Sequence, residues 1–237
     1  MTAPTVIGTP STLHVSTSSG SSSQTISSVS PETGSDRKMY VAVSHESGTS
    51  SAPPNYSVTW DGTSLTSILE IKNGNAPTTA ENGIEIFELL ETDFPGSAAD
   101  IVVNLGGTTH NNNLGVIAVQ VQDADQVQAA DEASNNADAN SYSLSVTDSE
   151  SLVLQWLSSG GTGTYAIASP ATAVTTAESA GDFRFGMGKI DDQSSGSVTL
   201  NASGTDTTRR THAAIAIPPA SPSGGGGGSQ SPVVVVI

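Results

Sequence analysis

Short runs of alternating apolar residues, each cut off by Gly, Ser, Asn, Asp or Pro, constrain this chain more than any other feature. "DRKMYVAVSHE" sets Met39, Val41 and Val43 against Tyr40, Ala42 and Ser44, the period-two pattern of a half-buried strand. "YSVTWDGTSLTSI" is two such runs about Asp61-Gly62, a hairpin signal. "GIEIFELLE", "ADIVVNL", "GVIAVQVQ", "SYSLSVT", "SLVLQWL", "DFRFGMGKI", "SVTLNA" and "HAAIAI" extend the series. Spacing of this kind belongs to a sandwich or barrel and not to a parallel α/β sheet. The fold class expected is all-β, an antiparallel, jelly-roll-like β-sandwich with a flexible C-terminal arm.

Helix signals are thin. Residues 124–139 contain helix formers, but Asn135 and Asn136 weaken them, so a loop with at most one helical turn is expected. In residues 169–180, Ser169 is placed to cap a turn that Pro170 opens, while the Thr pairs resist a longer helix. In the first 35 residues the alternation of Leu13 and Val15 and the run around Ile26 and Val29 favour outer strands over a loose arm.

The order of elements repeats. "DRKMYVAVSHESGTS" and "DSESLVLQWLSSGGTG" both place an acidic turn before a strand that runs into a Ser/Gly loop. "GSAADIVVNLGGTTHNNNLGVIAVQV" and "SSGSVTLNASGTDTTRRTHAAIAIPP" both read strand, Thr-rich turn, alternating strand. Two related halves completing one sandwich are expected. That domain would span residues 1–219, followed by a Pro/Ser/Gly-rich linker at 220–232 and a terminal strand at 233–237.

Of the 237 residues only 13% are charged, and 23 acids against 7 bases give a formal charge of −16. Nucleic acid and anionic membranes are poor partners for such a chain, because both reward a basic face. There are no cysteines, which excludes disulfides and thiolate chemistry. The start "MTAPTVIGTP" lacks the basic and apolar regions of a secretory signal, and no apolar run approaches the about 20 residues of a membrane helix. A Ser/Thr/Asn-rich chain without an export signal fits a virion component made in a host cytoplasm and released by lysis, with an extracellular location as the alternative.

Catalytic signals do not converge, so no catalytic residues are assigned and the chain is expected not to be an enzyme. His14, His45, His110 and His212 share no metal spacing and read as surface or strand-end residues. No G-x-S-x-G elbow is present. Glu85, Glu88 and Glu91 are candidate glycosidase carboxylates by residue type alone, on what reads as an edge or partly exposed strand. No resident cofactor is expected. The oxygen-rich loop with Asp123, Asp125 and Asp131 offers candidate Ca²⁺ ligands but has no EF-hand spacing, and a solvated acidic loop is the competing reading.

The last fourteen residues, "GGGGGSQSPVVVVI", join a flexible spacer to an apolar strand, Val233, Val234, Val235, Val236 and Ile237. A peptide of this kind seeks a sheet edge, where main-chain bonds supply affinity. It can close its own domain, swap into a second copy or dock on another protein of an assembly; the remaining readings are disorder or a cloning remnant. A long Gly-rich connector favours a separate partner: other copies of the chain, trimers among them, or a capsid or tail protein.

The run from "GSDRKMYVAVSHE" through "YSVTWDGTSLTSI", "GIEIFELLE", "PGSAADIVVNL" and "GVIAVQVQDADQ" resembles β-sandwich proteins of tailed-virus structural gene clusters. In these a G-D-x-L-x-V-x-V strand precedes an S-V-T-x-x-G-x-x-L-T hairpin and a G-S-A-x-I-x-V strand. The likeness continues through "DSESLVLQWL" and "HAAIAIPP" and covers residues 36–217. Arg37-Lys38-Met39 departs from the smaller D-x-L. The resemblance implies a virion component: a capsid decoration or cement protein, a spike or a tail-associated adhesin. The alternative function is a carbohydrate-binding module, in which Trp60, beside the hairpin turn, would be the exposed glycan contact, whereas Trp156 in "SLVLQWL" reads as core.

Overall fold

Where both faces of a strand are covered, its apolar residues stop alternating, and this distinguishes the inner from the outer layers of the protein. The structure, a computed structural model, describes residues 1–15, 22–48, 55–74, 79–106, 113–136, 139–161, 163–175, 178–180, 183–205 and 209–221. Residues 222–237, and with them the strand expected at Val233 to Ile237, lie outside the described residues.

The first half contains β1 (Thr5–Val15), β2 (Ser23–Val29), β3 (Lys38–Ser47), β4 (Ser57–Trp60), β5 (Thr63–Ser64), β6 (Thr66–Asn73), β7 (Glu81–Leu90), β8 (Ala99–Asn104) and β9 (Leu114–Gln122). The second contains β10 (Asp131–Asn135), β11 (Ser141–Val146), β12 (Ser151–Ser159), β13 (Ala166–Ala168), β14 (Thr172–Ala173), β15 (Glu178–Ala180), β16 (Phe183–Gln193), β17 (Gly196–Ser203) and β18 (Thr211–Ile217). The described residues include no α-helix, only a 3₁₀ turn at Glu91–Asp93.

Half one forms sheets β1-β9-β3-β7-β6 and β2-β8-β4-β5, and half two forms β10-β18-β12-β16-β14, with β15 beside β16, and β11-β17-β13. All ladders are antiparallel. If β5 and β6 are one bent strand, half one has eight, with 1-8-3-6-5 in one sheet and 2-7-4-5 in the other. That is jelly-roll order. β10, β18, β12, β16 and β14 repeat the first sheet, and β11, β17 and β13 repeat the second. The duplicated strands are the ones that the sequence pairs as repeats. Each half closes its own sandwich, however, and the two do not complete a single one.

The sandwiches stack as four layers. In the first, Val41, Val43, Phe87 and Val116 pack on Val58, Trp60, Ile101 and Val103. In the second, Val153, Ala214 and Ala216 meet Leu144, Val198 and Leu200. Between them the two large sheets meet face to face, with Tyr40, Ile84, Ile117 and Val119 against Leu154, Trp156, Phe185 and Ile215. β3 lies over β12, β9 against β16 and β7 against β18, a reciprocal pattern that relates the halves by an approximate two-fold axis along the strands. Gly115 permits the close approach: a Cβ there would lie 2.6 Å from the Phe185 ring.

This layering corrects several expectations. β3 is covered on both faces and not half-buried. β7 is an interior strand between β3 and β6, not an edge. Residues 131–135 form β10, paired to β18, because the helix formers there give way to a ladder that closes the second sandwich. Residues 166–180 contribute β13, β14 and β15, with a cis Ser169-Pro170 bond in place of a helical turn. The outer-strand reading of the N-terminal segment holds as β1 and β2. The Asp61-Gly62 hairpin holds too, with φ of 51° and 79°, the two positive values a type I′ turn needs.

Candidate functional site

At one end of the stack, the chain leaves the described fold through a set of bonds built on the turn between the halves. Asp125 Oδ1 accepts from the amides of Val127 and Gln128, both at 2.8 Å, and Oδ2 accepts from Ser221 Oγ at 2.8 Å. The Asp125 amide donates to Pro218 O at 3.0 Å, the Ala220 amide donates to Asp123 O at 2.7 Å, and Ala124 bridges Pro219. The amides of Gln128 and Val127, then Ser221, hold the Asp125 carboxyl down to about 2 against a burial that would raise it. A pocket of about 230 Å³ opens here, lined by Asp36, Asp125, Gln126, Val127, Ala220 and Ser221. Val127 projects from its rim at 95% exposure.

These bonds correct the calcium reading. Asp125 is buried and engaged by protein donors. Asp123 Oδ2 accepts from Gln122 Nε2 at 3.1 Å, and Asp131 accepts from the Thr147 amide and hydroxyl at 2.6 and 2.9 Å. Among the described residues no three His, Asp or Glu side chains gather to hold a metal ion. Asp131 begins β10, whereas Asp123 follows β9, so the ladder separates what the loop reading brought together.

The opposite end carries polar groups that tie the sandwiches together. Arg209 bonds Glu46 and Gly160 O, Thr211 Oγ1 donates to Asn82 Oδ1 at 2.7 Å, and Asn73 Nδ2 donates to Arg210 O at 2.9 Å. Each sandwich is plugged here by a histidine against a tyrosine. His45 lies 5.6 Å from the Tyr56 ring and 3.2 Å from Glu81 Oε1, and His212 lies 5.5 Å from Tyr165, whose hydroxyl it meets. Tyr56 and Tyr165 occupy equivalent positions just ahead of β4 and β13. The histidines do not. His45 on β3 pairs with Leu114 on β9, whereas Leu157 on β12 pairs with His212 on β18. The halves have exchanged the two residues across the ladder.

His45 and His212 are therefore strand-end residues but buried, not surface. His14 stacks 6.0 Å from Phe183, and His110 lies outside the described residues. Burial pushes the His212 imidazole down to about 4; the Ala139 carbonyl opposes this and Arg210 adds to it. No local sequence pattern marks these plugs, because their partners are 11 to 47 positions away and depend on strand pairing. The nearest legible signal was a polar residue closing an apolar strand, as in "VAVSHE" and "RTHAAI".

The three glutamates form no acid/base pair. Glu85 and Glu88 occupy opposite faces of β7, where Glu85 accepts from Ser67 Oγ at 2.6 Å, and Glu88 holds Lys38 Nζ at 3.1 Å and the Tyr40 hydroxyl at 2.9 Å. Burial, chiefly, raises the Glu85 carboxyl. Burial would raise the Glu91 carboxyl, but the Arg37 amide at 2.9 Å and then Arg37 Nε and Nη2 at 2.8 and 2.7 Å outweigh it and lower the carboxyl.

Trp60 is 0% exposed, its indole nitrogen donating to Ala99 O at 3.3 Å and its ring edge-on to Phe94 at 5.0 Å. It offers no face to a sugar, because the strand that leads to the hairpin points it into the first core. Trp156 is core, as its sequence implies, and Tyr40, Tyr56, Tyr142 and Tyr165 are buried as well. With two Trp and four Tyr in the chain, every one is inside.

No family model matches the sequence, and no curated protein matches it. Among solved structures, a chain titled "Cucumber Leaf Spot Virus" is similar at 10% identity and a TM-score of 0.25, over 90% of this chain and 89% of that one. A similarity of that size carries no assignment of function.

Proposed function

We propose that this chain is a non-enzymatic structural component of a virion surface, a capsid decoration or cement protein, held in part by its terminal residues 233–237. The observation that carries the reading is the duplicated jelly roll. This sheet order is used by viral capsid and lectin domains, and the burial of every Trp and Tyr removes the aromatic platforms that a lectin would use. The resemblance to tailed-virus structural proteins over residues 36–217 and the acidic composition are consistent with it.

In this reading the body is a rigid spacer and the tail is its attachment. Asp125 and Ser221 fix the point from which the tail leaves, so the eleven residues 222–232 alone set its range, about 36–40 Å when fully extended. The apolar strand adds to a sheet edge of a shell protein, where alternate valines fill pockets. The test is co-purification: the full chain should sediment with intact particles in a fixed ratio to the shell protein, and Val235→Pro should reduce the bound amount at least tenfold without altering the far-ultraviolet spectrum. Loading of the variant at the normal ratio would overturn the anchoring role.

A further inference from the structure

A sheet edge is a template for pairing, and proteins usually blunt it with bulges, charges, proline or extreme shortness. Nearly every edge here shows one of these devices. β1 has a register break between Ile7 and Ser11 beside Pro10, and β6 a break between Ser67 and Leu69 together with Glu70 and Lys72. β2 has a break between Ile26 and Val29, with Ser28 at φ 58° held by Asp100. β10 begins Asp131-Glu132, and β5, β13, β14 and β15 are two or three residues long.

β11 is the exception. It pairs with β17 without a break from Ser141 to Val146, and "SYSLSV" holds no charge, proline or glycine. Its serines face solvent while Tyr142, Leu144 and Val146 face the core; β10 packs beside it, with Asp131 on the Thr147 amide and hydroxyl just past its end, but among the described residues no strand is laddered to its outer side. The comparison within the molecule is direct, since β2 occupies the same position in half one and carries the bulge that β11 lacks.

The chain also holds a second liability, the apolar run "VVVVI" at 233–237 with no charged side chain, and the two lie within reach of each other. The tail leaves at Ser221, bonded to Asp125. Three residues on, Gln128 Nε2 donates to Asp148 Oδ2 at 2.5 Å, and Asp148 lies two positions past the end of β11. Eleven residues of Gly/Ser-rich composition would span about 17–20 Å on average as a coil, and a tether of that length would present residues 233–237 to a nearby site at millimolar effective concentration. Entering from this end, the strand runs antiparallel to β11, the orientation with the better hydrogen bonds.

We propose that in the free chain residues 233–237 add antiparallel to the outer edge of β11 of the same molecule, a parked position that any other acceptor sheet must displace. This goes beyond the particle reading and does not depend on it.

The absence of native cysteine makes the test clean. Ser143→Cys is combined in turn with Val234→Cys and with Val235→Cys in the full chain, then oxidised at low protein concentration. Strand alternation puts only one of the two tail positions on the Ser143 face, so one double variant should close an intramolecular disulfide at least tenfold more completely than the other, while migrating as a monomer. Hydrogen exchange gives a second readout, in which Val235→Pro should speed exchange of amides in 141–146 at least tenfold and leave β17 unchanged. Equal closure of both variants, closure of neither, cross-links between molecules only, or β11 exchange indifferent to the proline would each overturn the proposal. Loss of particle loading in Val235→Pro without a β11 cross-link would overturn the parking and leave the particle reading intact.

Discussion

The Asp125 carboxylate accepts from two amides of the inter-half turn and from Ser221, so its charge is favoured more in the folded chain than in the unfolded one. A depressed folded value stabilises fully above the ordinary carboxylate range and is lost as pH falls through about 2. The drop from 3.8 to about 2 corresponds to about 2 kcal/mol. Urea unfolding at pH 7 should show Asp125→Ala less stable by roughly that amount, with the difference from the parent vanishing between pH 4 and pH 2. His212 has the same sign of pH dependence, although here the fold favours the neutral form and not the charged one. The unfolded imidazole takes its proton near 6.5, the buried one only near 4, so stability falls as pH drops from 6.5 to 4 and then levels. The parent should lose about 3 kcal/mol across that window relative to His212→Gln. A parallel pH profile in the variant would show that another group titrates there.

At the scale of the element, the inner strands owe their composition to having two neighbours. β3, β12 and β18 are buried almost end to end, and β9 follows them, with Gly115 where the facing sheet comes closest. Gly115→Val would drive two methyls into the Phe185 ring and should lower stability by about 2–3 kcal/mol, read from the urea midpoint. The strands themselves were legible in the sequence because alternation and turn residues are local. What was not legible was which faces are covered. In "MYVAV" the strand period separates two sets without saying whether the second is covered, so Tyr40 and Ala42 passed for an outer face when they line the seam. The same holds for Trp60: proximity to a turn is a sequence fact, but the side to which a strand turns its indole is set by pairing with β8. Asp123, Asp125 and Asp131 were neighbours in sequence only, since a strand start intervenes.

At the scale of the whole molecule, the seam is lined by apolar residues as buried as those of either sandwich interior, and separating the halves would expose Trp156, Phe183, Phe185 and Met187. Buried apolar surface on that scale couples the two sandwiches. Thermal unfolding should therefore be a single transition, with calorimetric and van't Hoff enthalpies in agreement. Two resolved transitions would show that each jelly roll stands alone. The duplication was visible in the sequence as an order of elements, though not as residue identity, because topology constrains where strands fall and leaves most side chains free to drift.

That drift has been coupled at one place. With His45 opposite Leu114 in one half and Leu157 opposite His212 in the other, each sandwich houses one imidazole and one isobutyl group at the same depth. A chimaera that replaced β9 by β18 would crowd two rings into the first interior, and the converse graft would leave Tyr165 facing two aliphatic chains in place of the imidazole its hydroxyl meets. The two copies have thus ceased to be interchangeable parts, and recombination between them inside one reading frame would be selected against.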